Sequence, residues 1–193
     1  MPYINYQNRE ITFKVVYYGP GMSGKTTNLL YIHSALSPDL KGELITLNTD
    51  EDRTLFFDFF PLHLGNIDGF NVKFNMYTVP GQVYYEASRK LILDGADGVV
   101  FVADSQPFRL EENIESYRLM EDNLRHYGYS TTQFPLVLQY NKRDCVNPLP
   151  VGILEEQLGT ADIAVFEAQA MNGIGVLETI KELSRTIVMR FQL

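Results

Sequence analysis

The run Gly19-Pro20-Gly21-Met22-Ser23-Gly24-Lys25-Thr26 limits what this chain can fold into more than any other stretch. Its spacing, G-x-x-x-x-G-K-[ST], is that of a glycine-rich loop that wraps phosphate. Such a loop needs a strand running into it and a helix running out. Ile11-Thr12-Phe13-Lys14-Val15-Val16-Tyr17-Tyr18 supplies the first, a β-branched and aromatic segment. Leu29, Ile32 and Leu36 supply the second, recurring at helical spacing until Ser37-Pro38. The glycines allow torsions that side chains forbid, so successive N–H groups can converge on an anion at the positive end of the helix. Lys25 adds a point charge at the β/γ-phosphates, the Thr26 hydroxyl is a ligand for Mg²⁺, and Thr27 completes the set of phosphate-site residues.

The rest of the chain alternates strands with helices. Strands are expected at Leu44–Leu47, Leu55–Phe60 (ended by Pro61), Asn71–Thr78, Val99–Ala103, Pro135–Tyr140 and Ile163–Phe166. Helices are expected after Gln82 (stripe Val83, Ala87, Leu91), after Asp104 (Leu110, Ile114, Tyr117, Leu124 inward), over about Pro150–Leu158, and at the end (Val176, Ile180, Leu183, Ile187, Phe191). That order predicts an α/β fold, a mostly parallel six-stranded sheet with one antiparallel edge strand and helices on both faces. At 193 residues the chain is expected to be a single domain over 1–193. Ligands of such sheets sit at the carboxyl ends of the strands, where each remaining motif falls.

Bulk numbers narrow the partners. A net charge of −8 argues against nucleic acid, and Cys145 alone cannot form an internal disulfide. No apolar run is long enough to span a membrane, and neither end carries a lipidation motif. A cytoplasmic protein with no intrinsic membrane anchor is expected.

Asn141-Lys142-Arg143-Asp144 follows the Leu136–Tyr140 strand and reads N-K-x-D. The Asp144 carboxylate can accept from both N1–H and the exocyclic amine of guanine, a pair that adenine lacks. Lys142 can lie over the base, and Asn141 can tie this loop to the glycine-rich one. Ala170, after the Ile163–Phe166 strand, matches the position at which similar Ras-like proteins turn an alanine amide to the guanine carbonyl. The ligand is therefore expected to be GTP or GDP with Mg²⁺.

Phosphoryl transfer to water needs positioning and charge neutralisation. In Thr78-Val79-Pro80-Gly81-Gln82, Gln82 occupies the slot of a water-orienting glutamine, and Gly81 lets backbone approach the γ-phosphate. The Thr54 hydroxyl can reach Mg²⁺ in the triphosphate state. Arg53 reads either as a finger supplied in cis or as an exposed arginine offsetting Asp50, Glu51 and Asp52. Thr78 stands where D-x-x-G would put a metal-holding aspartate, which leaves Asp58 or Asp104 to replace it.

With the segments Gly19–Thr26, Arg53–Phe59, Tyr77–Val83, Ala87–Leu93 and Asn141–Asp144 in hand, the chain resembles the bacterial Ras-like small GTPases of the MglA family. The most specific marks are T-V-P-G-Q in place of D-x-x-G-Q, and R-T-L-F-F-D-F. The resemblance implies a switch of cell polarity and gliding motility, recruited to a cell pole when GTP-bound. It implies effectors that bind the switch regions, and a Roadblock-type homodimeric activating partner (MglB-like). That partner would add no catalytic residue and would bring Arg53 and Gln82 into place. The resemblance also implies that the Leu55–Phe59 strand slides along its neighbour between nucleotide states, which a slip of two residues permits. The rival readings are a nucleotide-locked GTP-binding scaffold and a metabolic P-loop kinase. Gln82 and Arg53 argue against the first, and N-K-R-D against the second.

Overall fold

The computed structural model describes residues 2–47, 57–81, 85–130 and 133–191. Strands β1 (Tyr3–Asn5) and β2 (Glu10–Tyr18) lead into helix α1 (Lys25–Ala35). Then come β3 (Ile45–Leu47), β4 (Phe57–Ile67), β5 (Phe70–Thr78) and α2 (Glu86–Leu93). β6 (Gly98–Asp104), α3 (Leu110–His126), β7 (Leu136–Asn141), α4 (Val151–Leu158), β8 (Ala164–Glu167) and α5 (Val176–Phe191) follow.

One sheet runs in the order β3-β4-β5-β2-β6-β7-β8, with β1 paired to β2 as well. β5, β2, β6, β7 and β8 are mutually parallel, while β4 runs against both β3 and β5. The expected α/β architecture is observed, but the sheet has eight strands rather than six and more than one antiparallel pairing. The strand that was not expected is β1, which folds back antiparallel onto Glu10–Thr12. β3, expected over Leu44–Leu47, joins the same sheet along the outer side of β4. Three residues are too few to show an alternating pattern, so β1 left no signal.

Because side chains alternate along each strand, β2 feeds two cores. Val16 and Tyr18 pack with Ile92 and Leu93 of α2, Ile114, Tyr117, Met120 and Leu124 of α3, and Leu154 and Leu158 of α4. Val15 and Tyr17 pack with Leu29 and Ile32 of α1 and with Val176, Ile180, Leu183 and Ile187 of α5. β6 and β7 are buried along their whole length, which is why they read as apolar runs.

Two expectations are corrected. Pro61 does not end its strand, since β4 continues to Ile67 and turns through Asp68 (φ 49°) and Gly69 (φ 84°) into β5. The Pro61 carbonyl accepts from the Gly42 N–H on the outer side of β4. Its nitrogen faces the same way, so no β4–β5 ladder bond is lost. In α2 the buried face is Arg89, Ile92 and Leu93, whereas Ala87 and Leu91, assigned to the buried stripe, are exposed. Val83, the start of that stripe, lies outside the described residues, and the helix takes its phase from Ile92 and Leu93.

Candidate functional site

Parallel strands bring their carboxyl ends to one edge of the sheet. β2 ends there at Tyr18, β5 at Thr78, β6 at Asp104, β7 at Asn141 and β8 at Glu167. β4 runs the other way, so its beginning, with Asp58, reaches the same edge.

The glycine-rich loop joins β2 to α1. Gly19 (φ 146°) and Gly24 (φ 102°) adopt torsions that disfavour side chains, and Met22 (φ 61°) holds a left-handed conformation without being glycine. A Cβ on Gly19 would stand 2.2 Å from the Val102 carbonyl oxygen, and one on Gly24 2.2 Å from Asn141 Nδ2. These two glycines are thus required by close approach as well as by torsion. Gly21 packs on Gly81: a Cβ on Gly81 would come within 2.5 Å of the Gly21 Cα and N and 2.8 Å of Lys25 Nζ. Lys25 is buried and donates to the carbonyls of Gly19 (2.9 Å) and Pro20 (2.6 Å). Burial draws its ammonium down to about 7; repulsion from Arg89 and Arg109 adds to the shift and attraction from Asp58 opposes it.

Asp58 is 1% exposed. Its Oδ2 accepts from the Thr26 hydroxyl at 2.5 Å and from the Thr78 hydroxyl at 3.0 Å, while its backbone N–H donates to Thr78 Oγ1 at 2.8 Å. Thr78 therefore stands beside a carboxylate from the neighbouring strand and holds it against Thr26. Asp58 Oδ1 is buried and has no hydrogen-bond partner among the described residues, which leaves it a free acceptor facing this edge of the site. Asp104, the other candidate, is committed elsewhere: Oδ2 takes Lys142 Nζ at 2.6 Å and Oδ1 accepts from the Gln106 N–H at 3.1 Å. Among the described residues no three His, Cys, Asp or Glu side chains come together as a metal cage. A hard cation bound beside Thr26 would then depend on hydroxyl, carboxylate and ligand oxygens, the donor set Mg²⁺ favours.

Asn141 is the fastener between loops. Its Nδ2 donates to the Ser23 carbonyl at 2.8 Å, and its Oδ1 accepts from the Ala170 N–H at 2.9 Å. That amide, expected to face a base, here serves the bridge. Lys142 (φ 62°) reaches back to Asp104, and Asp144 is exposed to solvent. Arg143 secures the loop from behind, donating to Glu167 Oε2 at 2.7 Å and to the Leu149 carbonyl at 2.6 Å.

Two cations at the site escaped the sequence reading. Arg89 of α2 is 3% exposed and borders the loop with Pro20 and Gly81. Arg109, at the start of α3, donates through Nη2 to the Gly21 carbonyl. Charged residues on amphipathic helices read as solvent-facing, and only the packing of α2 and α3 against the loop turns these inward. Arg53, Thr54 and Gln82 lie outside the described residues, as does the start of the Leu55–Phe59 segment expected to slide.

A mostly parallel sheet with a G-x-x-x-x-G-K-T loop after β2 and an Asn-Lys-x-Asp loop after β7, bridged by Asn141, has the Ras-like GTPase fold. No protein-family profile matches the chain. It is 52% identical over 188 residues to mutual gliding-motility protein MglA of Myxococcus xanthus (strain DK1622), covering 97% of this chain and 96% of that one. The chain belongs to the MglA family of bacterial small GTPases.

Proposed function

We propose that this chain, one domain over residues 1–193, is a guanine-nucleotide switch that hydrolyses GTP and serves gliding motility or another polar process. The observation that carries the reading is the Asn141 side chain, which fastens the N-K-R-D loop to Ser23 of the glycine-rich loop. A pocket that must meet base and phosphates at once needs such a brace, and Asp144 then discriminates guanine by its two donors. Gly19 to Thr27, Gly81, Asn141, Lys142, Asp144 and Ala170 line the nucleotide. Mg²⁺ would sit at the Thr26 hydroxyl, with Thr54 closing over it in the triphosphate state, and would supply charge neutralisation at the β/γ-phosphate oxygens. Asp58 would take the part of the carboxylate missing at Thr78: its Oδ1, without a partner among the described residues, would offer negative charge and an acceptor beside the ion, and the Thr78 hydroxyl keeps the carboxylate aimed.

In hydrolysis a water oxygen bonds to the γ-phosphorus as the bridging bond to the β-phosphate oxygen breaks. The proton leaves with inorganic phosphate, and GDP stays bound. Gln82 orients the water and Arg53 stabilises the charge on the equatorial oxygens. A Roadblock-type homodimer brings both into line, and effectors read the GTP-bound switch segments at a cell pole. The family membership supports this reading. Among the described residues no helix is long and apolar enough to cross a membrane. The test is single-turnover GTP hydrolysis with the Roadblock-type partner for wild type and Arg53→Ala. Stimulation should be lost by about 10³-fold or more in the variant, as for other arginine fingers. Equal rates would remove Arg53 from the chemistry, and no turnover in either would leave a nucleotide-locked scaffold.

A further inference from the structure

Arg109 has no part in the hydrolysis just described, yet its guanidinium reaches both the glycine-rich loop and the end of β6. Nη2 donates to the Gly21 carbonyl, Nη1 meets Glu112 Oε1 at 2.5 Å, and Nε stands 3.7 Å from Asp104 Oδ2. Its side chain is only 16% exposed and that of Asp104 is fully buried. Asp104 is itself fixed, because Asn113 of α3 clasps its backbone N–H (2.9 Å) and carbonyl (2.8 Å). The same carboxylate holds Lys142 of the N-K-R-D loop. A continuous polar chain thus runs from the base-side loop through Asp104 and Arg109 to the Gly21 carbonyl.

The bond falls on a peptide with little freedom to choose its own orientation. In a trans peptide the carbonyl and the following N–H point in opposite directions. Turning the Gly21 oxygen outward to Arg109 therefore turns the Met22 N–H inward. Met22 is the non-glycine residue of the loop held at φ 61°, a conformation that an L side chain disfavours and that its surroundings must impose. Gly21 is also backed by Gly81, which packs against its Cα and N, so the residue that carries this carbonyl has little room to shift.

We propose that Arg109 is a positioning residue that sets the Gly21–Met22 peptide, and with it the Met22 N–H, for binding the outer phosphates of the nucleotide. The assignment rests on the nucleotide site proposed above, though not on which base that site prefers. It is tested by measuring affinities for GMP, GDP and GTP by competition with a fluorescent nucleotide in wild type, Arg109→Ala and Arg109→Lys. In Arg109→Ala, GMP affinity should stay within about twofold while GDP and GTP weaken about tenfold or more, the equivalent of one charge-assisted hydrogen bond. Arg109→Lys keeps a cationic donor for the carbonyl and should recover most of that loss. Equal losses for all three nucleotides would mark a merely structural arginine and overturn the assignment, as would no loss at all. If Arg109→Ala does not fold, Arg109→Gln is read by the same ratio. Should wild type prefer adenine nucleotides, the guanine reading fails, and the AMP, ADP and ATP series still decides the role of Arg109.

Discussion

Replacing Asp58 by asparagine tests how this site manages without an aspartate at position 78. Asparagine keeps the shape and an acceptor oxygen for the hydroxyls of Thr26 (2.5 Å) and Thr78 (3.0 Å), and removes only the charge. A hydrogen bond to a charged group contributes about 1.5–3 kcal/mol against about 0.5–1.5 kcal/mol for a neutral one, so the two bonds together lose roughly 2–3 kcal/mol. Outer-sphere partners of a metal change its affinity by about 10–100-fold, or about 1.4–2.7 kcal/mol. The first figure bears on the fold and the second on the metal. In the nucleotide-free fold the weaker hydrogen bonds are offset, because burying a carboxylate is itself costly and asparagine relieves that cost. Asp58→Asn should therefore leave the urea midpoint of the nucleotide-free protein equal or higher, while raising the Mg²⁺ needed for half-maximal retention of fluorescent GDP by about 10–100-fold. A Mg²⁺ requirement within twofold of wild type would refute the reasoning and return the question to Asp104.

Thr78→Val removes the hydroxyl that both accepts from the Asp58 N–H and donates to its carboxylate. It should lower stability by about 1–3 kcal/mol for the buried group left unsatisfied, read by urea denaturation, with a higher Mg²⁺ requirement for nucleotide retention alongside. Lys25, drawn down to about 7 in the free protein, should regain its proton when phosphates replace the loop carbonyls. Binding at pH 8 should then take up a proton, seen by calorimetry in buffers of different ionisation enthalpy. Affinity should fall as pH rises above 7. The linkage to folding runs the other way: the unfolded chain binds more protons between about 7 and the ordinary lysine value of 10.5, so the nucleotide-free fold gains stability as pH rises through that window. Gly21→Val places its Cβ at ordinary contact, 3.7 Å from the Gly81 carbonyl oxygen, with the methyls beyond it crowding the Gly81–Gln82 approach. It should bind GTP and turn over at least about tenfold more slowly with the Roadblock-type partner, and a normal rate would place the catalytic approach elsewhere.

Much of the site was legible because its chemistry is local. The glycine-rich loop and Asn141–Asp144 are contiguous runs, and each follows a strand whose apolar character is visible at once. Thr78 in the place of an aspartate sufficed to raise Asp58 and Asp104 as replacement carboxylates, and the hydrogen bond to Thr26 now favours Asp58. What was not legible depends on tertiary packing. β1 is three residues long and gains its place only from pairing with Glu10–Thr12. Pro61 looked like a stop because a sequence does not say which way its nitrogen faces. Leu91 read as core and is 73% exposed, since the phase of α2 is set by Ile92 and Leu93. Arg89, Arg109 and Asn113 all sit on or beside helices where polar residues face water, and only tertiary packing against the glycine-rich loop and the strand ends turns them inward.

The central claim is that one pocket clamps guanine through Asn141–Asp144 and exposes its γ-phosphate to hydrolysis. Chromatography of the nucleotide released from purified protein, before and after incubation with GTP, Mg²⁺ and a Roadblock-type homodimer, tests it directly. Bound guanine nucleotide is expected, with slow conversion of GTP to GDP alone and rapid conversion with the homodimer. Bound adenine nucleotide, or GTP that persists unchanged with the homodimer present, would contradict it.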